Sequence, residues 1–400
     1  MGFIQIQNFI ILPIIEWIVL STPFIDASNT FINAIEKGLD DILNNQMDTI
    51  LILSGLLSQA REEGKVIHTV GMGRSGLAGR FFADLLKLYR LKSSVLGDVL
   101  AKPVHKGDVV FAFSGSGWTN TTNLYAEMCI KRGAILVAFT ATKGSKLDRL
   151  ADYTLYLPGR TIIHTMDYMT RKIFGKYKSP LAPMGSITEF SAIVFGAGLA
   201  STISSNNPQK TFESTIKTII STCERSLDKI KKSQESLYDV IKLYLGIKES
   251  ERTCYFSGLG LLEYIVKMIA IRFQHLGLIV GDISDWILRR PLDVLTVVSC
   301  SGEAIIPKIL ANEAKKSGMS VVAVVGNESS SIANIADIAL YIEGIEERKK
   351  YFTVGRDSGE GFIPTFEISA LMVFEAIVAE LANRLGLTED KMRELHANIE

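Results

Sequence analysis

The chain has 400 residues, more than one typical hydrophobic core organises, so its length predicts two domains. Basic and acidic residues number 43 each and are spread along the sequence, which argues against a nucleic acid or a membrane surface as a partner. The cysteines form no CxxC pair and no Cys/His grouping at metal-ligand spacing, so we expect reduced, buried thiols, no metal site and a cytoplasmic protein. They are Cys129, Cys223, Cys254 and Cys300.

Residues 1–28 form an apolar N-terminal extension. The run Phe9–Leu20 has the length of the apolar region of a signal peptide, but Pro13 and Glu16 interrupt it and no basic segment precedes it. It is also shorter than the roughly 20 apolar residues of a membrane span. A membrane anchor, an apolar strap packed on the body of the protein, and residues added by an upstream start codon are the alternatives. We favour the last two.

The next segments alternate between helical and strand patterns. From Asn29 to about Ala60, apolar residues recur at helical spacing and predict leading helices. A strand at Val66–Val70 and a helix at Leu77–Leu88 follow, and the alternation continues as far as Leu157. This order predicts an α/β fold with a doubly wound parallel sheet, whose ligand lies beyond the carboxyl ends of the strands.

The order of elements repeats after the linker signal Asn206–Pro208, which indicates an internal duplication. We therefore divide the chain into domains at 29–207 and 208–400. Ser299 minus Ser114 and Asp337 minus Asp152 both equal 185, so the register holds without net insertion. The other matches are Gly258–Gly260 with Gly71–Gly73 and Glu367 with Glu189.

The stretch Val110–Thr122 passes from an apolar run into small and hydroxyl residues before a helical pattern begins. Such a strand, loop and helix predict a phosphate site, because the start of a helix presents unpaired N–H groups and a partial positive charge. Ser114, Ser116 and Thr119 add hydroxyl groups, and the glycines between them let the backbone approach an anion closely. An ordinary Gly/Ser turn is the alternative interpretation.

A second loop, Gly71–Gly76, follows the first strand. Its sequence GMGRSG lacks the GxGxxG spacing of a dinucleotide site, and the chain contains no GK[ST] of a Walker loop. We expect Gly73, Arg74 and Ser75 to converge with the Ser114 loop on a phosphate and the sugar attached to it. Arg74 is either a ligand of that phosphate or a residue of a subunit interface.

These two loops and three later segments together resemble a known family. They are GMGRSGLAG at 71–79, FSGSGWTNTT at 113–122, Pro183–Gly185, Thr188–Phe190 and the terminal Glu394–Glu400. The set is similar to the sugar isomerase (SIS) domain, in its 6-phospho-3-hexuloisomerase branch. The resemblance implies two tandem SIS domains, each a flavodoxin-like three-layer α/β/α sandwich with a five-stranded parallel sheet. It also implies conversion of D-arabino-3-hexulose 6-phosphate to fructose 6-phosphate, without a metal or an organic cofactor.

Glu189 stands where this resemblance places the catalytic base. Moving a carbonyl to the neighbouring carbon requires a base that takes a proton α to the carbonyl and returns it next door, through an enediolate. A carboxylate on a helix that faces the pocket can do this. Its apolar neighbours Ile187, Phe190 and Ile193 weaken the alternative of a solvated helix glutamate.

His396 is the second catalytic candidate. A histidine can move a proton between oxygens or open a cyclic substrate. A lone histidine near a chain end would otherwise be a frayed bystander. The resemblance implies a histidine in this terminal motif, usually preceded by arginine, where this sequence has Leu395.

The two halves retain different parts of the motif set. The first half has the Ser114 loop but no terminal histidine motif. In the second half Leu261 and Leu262 replace Arg74 and Ser75, and Glu303 follows Gly302. We therefore expect a fused pseudodimer that assembles further into a homo-oligomer. One composite site would contain Ser114, Ser116, Thr119 and Glu189 of the first half and His396 of the second; the twin site, with Ser299, Ser301 and Glu367, would be degenerate or would bind weakly.

Two other functions stay open. A tandem phosphoglucose/phosphomannose isomerase shares the layout and the enediolate chemistry, although the Pro183–Gly185 turn and the terminal histidine favour the hexulose substrate. A sugar-phosphate-binding regulatory protein without turnover is the alternative from another class. The first fifty residues contain Lys37 as their only cation, which argues against a DNA-binding regulator.

Overall fold

The computed structural model describes residues 22–159, 181–203, 205–283, 290–344 and 361–396. We call residues up to 207 the first half and the remainder the second half. The helices of the first half are α1 (Thr22–Asp41), α2 (Met47–Glu62), α3 (Gly73–Leu88), α4 (Asn120–Lys131), α5 (Lys146–Leu150) and α6 (Ser186–Ser201). Its strands are β1 (Val66–Gly71), β2 (Lys92–Val95), β3 (Val109–Phe113), β4 (Ile135–Thr140) and β5 (Tyr153–Tyr156).

The second half repeats this series. Its helices are α7 (Pro208–Lys232), α8 (Gln234–Glu249), α9 (Leu261–His275), α10 (Ile305–Lys316), α11 (Ser331–Ile335), α12 (Thr365–Arg384) and α13 (Glu389–Glu394). Its strands are β6 (Thr253–Ser257), β7 (Ile279–Val280), β8 (Val294–Ser299), β9 (Ser320–Val325) and β10 (Ile338–Tyr341).

The strands form two five-stranded sheets of the same topology. The orders are β2-β1-β3-β4-β5 and β7-β6-β8-β9-β10, and every pair of neighbours is parallel. The order is that of a flavodoxin-like sheet, and the central strands are apolar on both faces because helices cover both. The predicted class, α/β with two five-stranded parallel sheets, is confirmed.

Neighbouring residues of a strand face two different cores. In β3, Val110 and Ala112 pack towards α4, whereas Phe111 and Phe113 pack on the opposite face. The cluster that contains Phe111 and Phe113 also contains Val298 of β8 and residues of α1, α3, α6, α7, α9 and α12. One continuous apolar core therefore joins the two halves, and its burial is the main force that holds them together.

The helices at the centre also pack across the boundary between the halves. Helix α1 packs on α12 and α7 packs on α6, so the leading helix of each half contacts the last long helix of the other. Helix α3 packs against α9, where the Tyr264 hydroxyl donates to Asp84 at 2.6 Å. Helix α1 begins at Thr22 and buries Phe24, so the helix crosses the boundary predicted at 28/29. The domain boundaries themselves stay predictions.

The duplication is visible in individual hydrogen bonds. Gly117 N–H donates to Ser114 Oγ at 3.1 Å, and Gly302 N–H donates to Ser299 Oγ at 3.2 Å. Both glycines have positive φ angles, of 68° and 67°, and a Cβ at either position would overlap the serine that caps the next short helix. The offset of 185 residues thus describes backbone geometry as well as sequence.

Helix α6 with its preceding turn, Pro183–Ser201, is long and apolar enough to cross a membrane by length and composition. In the folded chain 72% of this stretch is buried, which is the behaviour of a core helix. The four cysteines are free and buried, as the sequence predicts.

Candidate active site

The loop after β3 places three hydroxyl groups beside the start of α4. Ser114 is buried, and its Oγ lies 3.1 Å from Thr119 Oγ1. Ser116 is exposed, and its Oγ accepts a hydrogen bond from the N–H of Trp118 at 3.1 Å. Helix α4 begins at Asn120, so its first N–H groups have no partner within the helix. The arrangement suits a phosphate group, which needs several donors in one place.

The loop after β1 lies next to this one at the carboxyl edge of the sheet. A Cβ on Gly71 would lie 2.9 Å from the carbonyl oxygen of Phe113, so the two strand ends touch. Gly73 begins α3 with a φ of 52° and is exposed, and Ser75 is half-buried in the first turn. The structure thus brings Gly73, Ser75 and the Ser114 loop together, as predicted; their contact with a phosphate stays a prediction.

Glu189 lies in the first turn of α6, immediately beside the Ser114 loop. A turn with two left-handed residues, Met184 at φ 52° and Gly185 at φ 85°, starts the helix. A Cβ on Gly115 would lie 3.2 Å from the Thr188 methyl group, so the loop and the helix start are in contact. The Glu189 side chain is 14% exposed. The start of the helix that carries the predicted base therefore touches the predicted phosphate loop.

A buried cluster of two arginines and two glutamates surrounds this carboxylate. Arg74 Nε donates to Glu189 Oε2 at 2.5 Å, and Arg272 Nη2 donates to the same oxygen at 3.1 Å. Glu375 pairs with Arg74 and lies 3.8 Å from Nε of Arg272. Arg74 and Glu189 belong to the first half, whereas Arg272 and Glu375 belong to the second. The cluster is neutral as a whole and crosses the boundary between the halves.

Arg74 lies between the two halves of the chain, and its predicted roles as a phosphate ligand or a residue of a subunit interface both stay predictions. Its side chain is 3% exposed, and its Nη1 donates to the carbonyl of Met268 on α9 at 2.8 Å. Burial alone would lower the pKa of Arg74, but the carboxylates of Glu189 and Glu375 outweigh burial and raise it. Arg272 has a lowered pKa, because burial and the charge of Arg74 outweigh the same carboxylates. The phosphate-ligand role of Arg74 stays a prediction.

His396 reaches the edge of this cluster through a second histidine. Its ring stacks on His275 with centroids 4.9 Å apart, and His275 Nδ1 lies 3.3 Å from Nη1 of Arg272. A guanidinium can only donate, so Nδ1 of His275 is the acceptor and the ring proton is on Nε2. Burial, with the charge of Arg272 next, lowers the pKa of His275 to about 3. The composite of Glu189 and His396 is thus connected through Arg272 and His275.

The equivalent loop of the second half has the same backbone and different side chains. Ser299 is buried and Ser301 is exposed, like their counterparts. Glu303 accepts hydrogen bonds from the N–H and the hydroxyl of Ser331, at 2.6 and 2.7 Å. The Glu303 carboxylate is therefore held by the start of α11. Glu367 is buried, and Leu261 stands at the position that Arg74 occupies in the first half.

Sequence reasoning missed Arg272, His275 and Glu375. Each is a polar residue in an otherwise apolar helical run, IVKMIAIRFQH in α9 and ISALMVFEAIVAE in α12. A charge on the buried face of a helix is a signal that it has a partner, although the sequence does not say which one. Among the residues that the structure describes, no group of three or more His, Cys, Asp or Glu side chains could hold a metal ion.

Comparison with known proteins agrees with this geometry. The sequence profile of the SIS domain matches residues 62–172, which include both loops. An uncharacterized protein of Aeropyrum pernix is 35% identical over 181 residues, which are 45% of this chain and 84% of that protein. The chain belongs to the SIS domain family. The predicted family is thus confirmed.

Two further similarities concern the family branch and the fold. The protein named 3-hexulose-6-phosphate isomerase in Methylomonas aminofaciens is 28% identical over 160 residues, 39% of this chain and 85% of that protein. The solved C-terminal domain of glucosamine-fructose-6-phosphate aminotransferase from Francisella tularensis has a TM-score of 0.58 and 15% identity. That match covers 89% of this SIS protein and 96% of the solved domain, so the similarity in fold extends over both halves.

Proposed function

We propose that this SIS protein is a phosphosugar isomerase that converts 3-hexulose 6-phosphate to fructose 6-phosphate. The observation that carries the proposal is the contact between the Ser114 loop and Thr188, the residue before Glu189 at the start of α6. The relative named 3-hexulose-6-phosphate isomerase supports this choice of substrate.

The loop would hold the phosphate. The hydroxyls of Ser114 and Thr119 and the first N–H groups of α4 would donate to it, and the helix start would add a favourable partial charge. A phosphate fixed at one end places the carbons of the sugar at a defined distance from the loop. The reacting carbons can then come within reach of a carboxylate on the neighbouring helix.

Glu189 would move the proton. Its Oε2 accepts from two arginines, whereas no hydrogen bond to its Oε1 comes from the residues that the structure describes, and we assign Oε1 to the substrate. It would take the proton from the carbon next to the carbonyl, and the resulting enediolate would recover a proton at the neighbouring carbon. His396 would exchange a proton between the two oxygens.

The test is a coupled assay that detects fructose 6-phosphate from 3-hexulose 6-phosphate. We expect turnover of this substrate, and of glucose 6-phosphate and mannose 6-phosphate at most weakly. Turnover of glucose 6-phosphate or mannose 6-phosphate without turnover of the hexulose would favour the phosphoglucose/phosphomannose isomerase reaction over the proposed one. Binding of all three compounds without turnover would make the chain a sugar-phosphate-binding protein.

A further inference from the structure

Arg272 contacts more parts of the candidate site than any other side chain of the second half in the described structure. Its Nη2 donates to Glu189 Oε2 at 3.1 Å and to the carbonyl of Met184 at 3.4 Å, and its Nη1 faces His275 Nδ1 at 3.3 Å. One side chain thus holds the predicted base, the turn that starts the helix of that base, and the ring that stacks on His396.

The position of Arg272 is itself fixed. The side chain is 1% exposed, and Glu375 lies 3.8 Å from its Nε. A planar guanidinium in a close-packed environment can donate in several fixed directions at once, which an ammonium group cannot do. The contacts of Arg272 therefore define where the Glu189 carboxylate points.

Arg272 has no equivalent in the first half. Arg90 and Gly277 end corresponding helices in left-handed conformation, at φ 63° and 74°, and they lie 187 residues apart. The same offset puts Leu85 at the position that corresponds to Arg272, and Leu88 at that of His275. Arg74 also reaches into the second half, but the contact made by Arg272 with the glutamate at the start of α6 has no counterpart at Leu85.

We propose that Arg272 is a positioning residue for catalysis, supplied by the second half to the Glu189 of the first. The second half would act as a built-in partner whose own loop is not required. This inference rests on the proposed function, because it assigns Glu189 as the base. It goes beyond that function in making turnover depend on a residue of the second half, outside the Ser114 loop.

The first experiment separates positioning from stability. Arg272→Met alone leaves Glu375 and Glu189 with one arginine between them, so it tests stability together with positioning. Arg272→Met combined with Glu375→Gln removes one charge of each sign and retains the Arg74–Glu189 pair. We expect the double variant to melt near the wild-type temperature, with kcat reduced at least tenfold and KM changed less than twofold. A double variant with wild-type kcat would overturn the proposal.

Arg272→Lys provides a second route that preserves the charge. We expect a similar loss of kcat and faster amide hydrogen exchange at residues 184–190, the turn and helix start that Arg272 holds. The control is Arg384→Lys, the same change at a residue of α12 that pairs with Glu380 at 2.5 Å. It should alter neither quantity.

The two proposals fail separately. An inactive wild type would contradict the proposed function, and the exchange measurement would still test the positioning by Arg272. An active wild type with unchanged kcat and unchanged exchange in Arg272→Lys would contradict the positioning alone.

Discussion

Arg74 of the first half and Glu375 of the second form an ion pair in the interior, with side chains only 3% and 2% exposed. Both groups are removed from water, and each depends on the other and on Arg272 and Glu189 for compensation. Such a cluster as a whole contributes little to the free energy of unfolding. Removal of any one member is strongly destabilising, because it leaves a buried charge uncompensated. The pairing therefore ties the docking of the halves to the residues of the candidate site.

Removing one member should be costly. We expect Arg74→Met to lower the free energy of unfolding by about 3–5 kcal/mol, because it leaves a buried carboxylate uncompensated. Urea unfolding measures the change. The control is Arg80→Met on the same helix, whose pair with Asp98 is more than one third exposed and should be worth about 1 kcal/mol or less. Equal losses in the two variants would contradict a buried cluster.

Alanine substitutions of Gly117 and Gly302 should distinguish an effect on ligand binding from an effect on stability. Alanine at either position must adopt a positive φ, which destabilises the folded state by about 1 kcal/mol. Its Cβ would also overlap the serine that caps the next helix. We expect both variants to melt at lower temperature than the wild type. Only Gly117→Ala should also weaken binding of fructose 6-phosphate, measured by calorimetry. Weaker binding in Gly302→Ala would assign a ligand to the second loop.

The chain should lose stability in mild acid. Burial, with Arg272 next, lowers the pKa of His275 to about 3, and burial also lowers the pKa of His68. An unfolded histidine binds a proton near pH 6.5. Between that pH and about 3 the unfolded state therefore binds more protons, so stability falls as the pH falls.

Thermal melts from pH 8 to 4 would measure this loss. His275→Gln should flatten the profile, since each pKa unit corresponds to about 1.4 kcal/mol. The control His105→Gln alters a side chain that is 67% exposed and should leave the profile as it is. The same pH dependence of the melting temperature in wild type and His275→Gln would contradict the burial of His275 as a neutral ring.

Each chain should bind one sugar phosphate. Ser114 and Thr119 provide a hydroxyl pair in the first half, whereas the second half has Ala304 at the position equivalent to Thr119. Titration calorimetry with fructose 6-phosphate should give one site per chain. Ser114→Ala should weaken that site at least about fivefold, and Ser299→Ala should leave it unchanged. Two equal sites would show that the second loop has kept its function.

The fold could be predicted because its signals are local and repeated. Apolar strands such as VVFAF, the glycine and serine loops and the offset of 185 residues specify the alternation and the duplication. The packing of α1 on α12 and of α7 on α6 could not be predicted, because amphipathic patterns show that a face is buried and not what buries it.

The site was predictable to the same extent. Glu189, His396 and the Ser114 loop stand in recognisable motifs, and the structure connects Glu189 with His396 through Arg272 and His275. Arg272 and Glu375 lie 83 and 186 residues from Glu189 in the chain. Their pairing depends on how α3, α9 and α12 pack, which no local pattern reports.

The most direct test of the account compares Glu189→Gln with Glu367→Gln in the hexulose 6-phosphate assay. The two glutamates are duplicates of each other; Glu189 accepts hydrogen bonds from both arginines, and Thr188 beside it contacts the Ser114 loop. We predict that Glu189→Gln lowers kcat at least about 100-fold while fructose 6-phosphate still binds. Glu367→Gln should stay active. Wild-type turnover in Glu189→Gln, or its loss in Glu367→Gln alone, would contradict a single site built around Glu189.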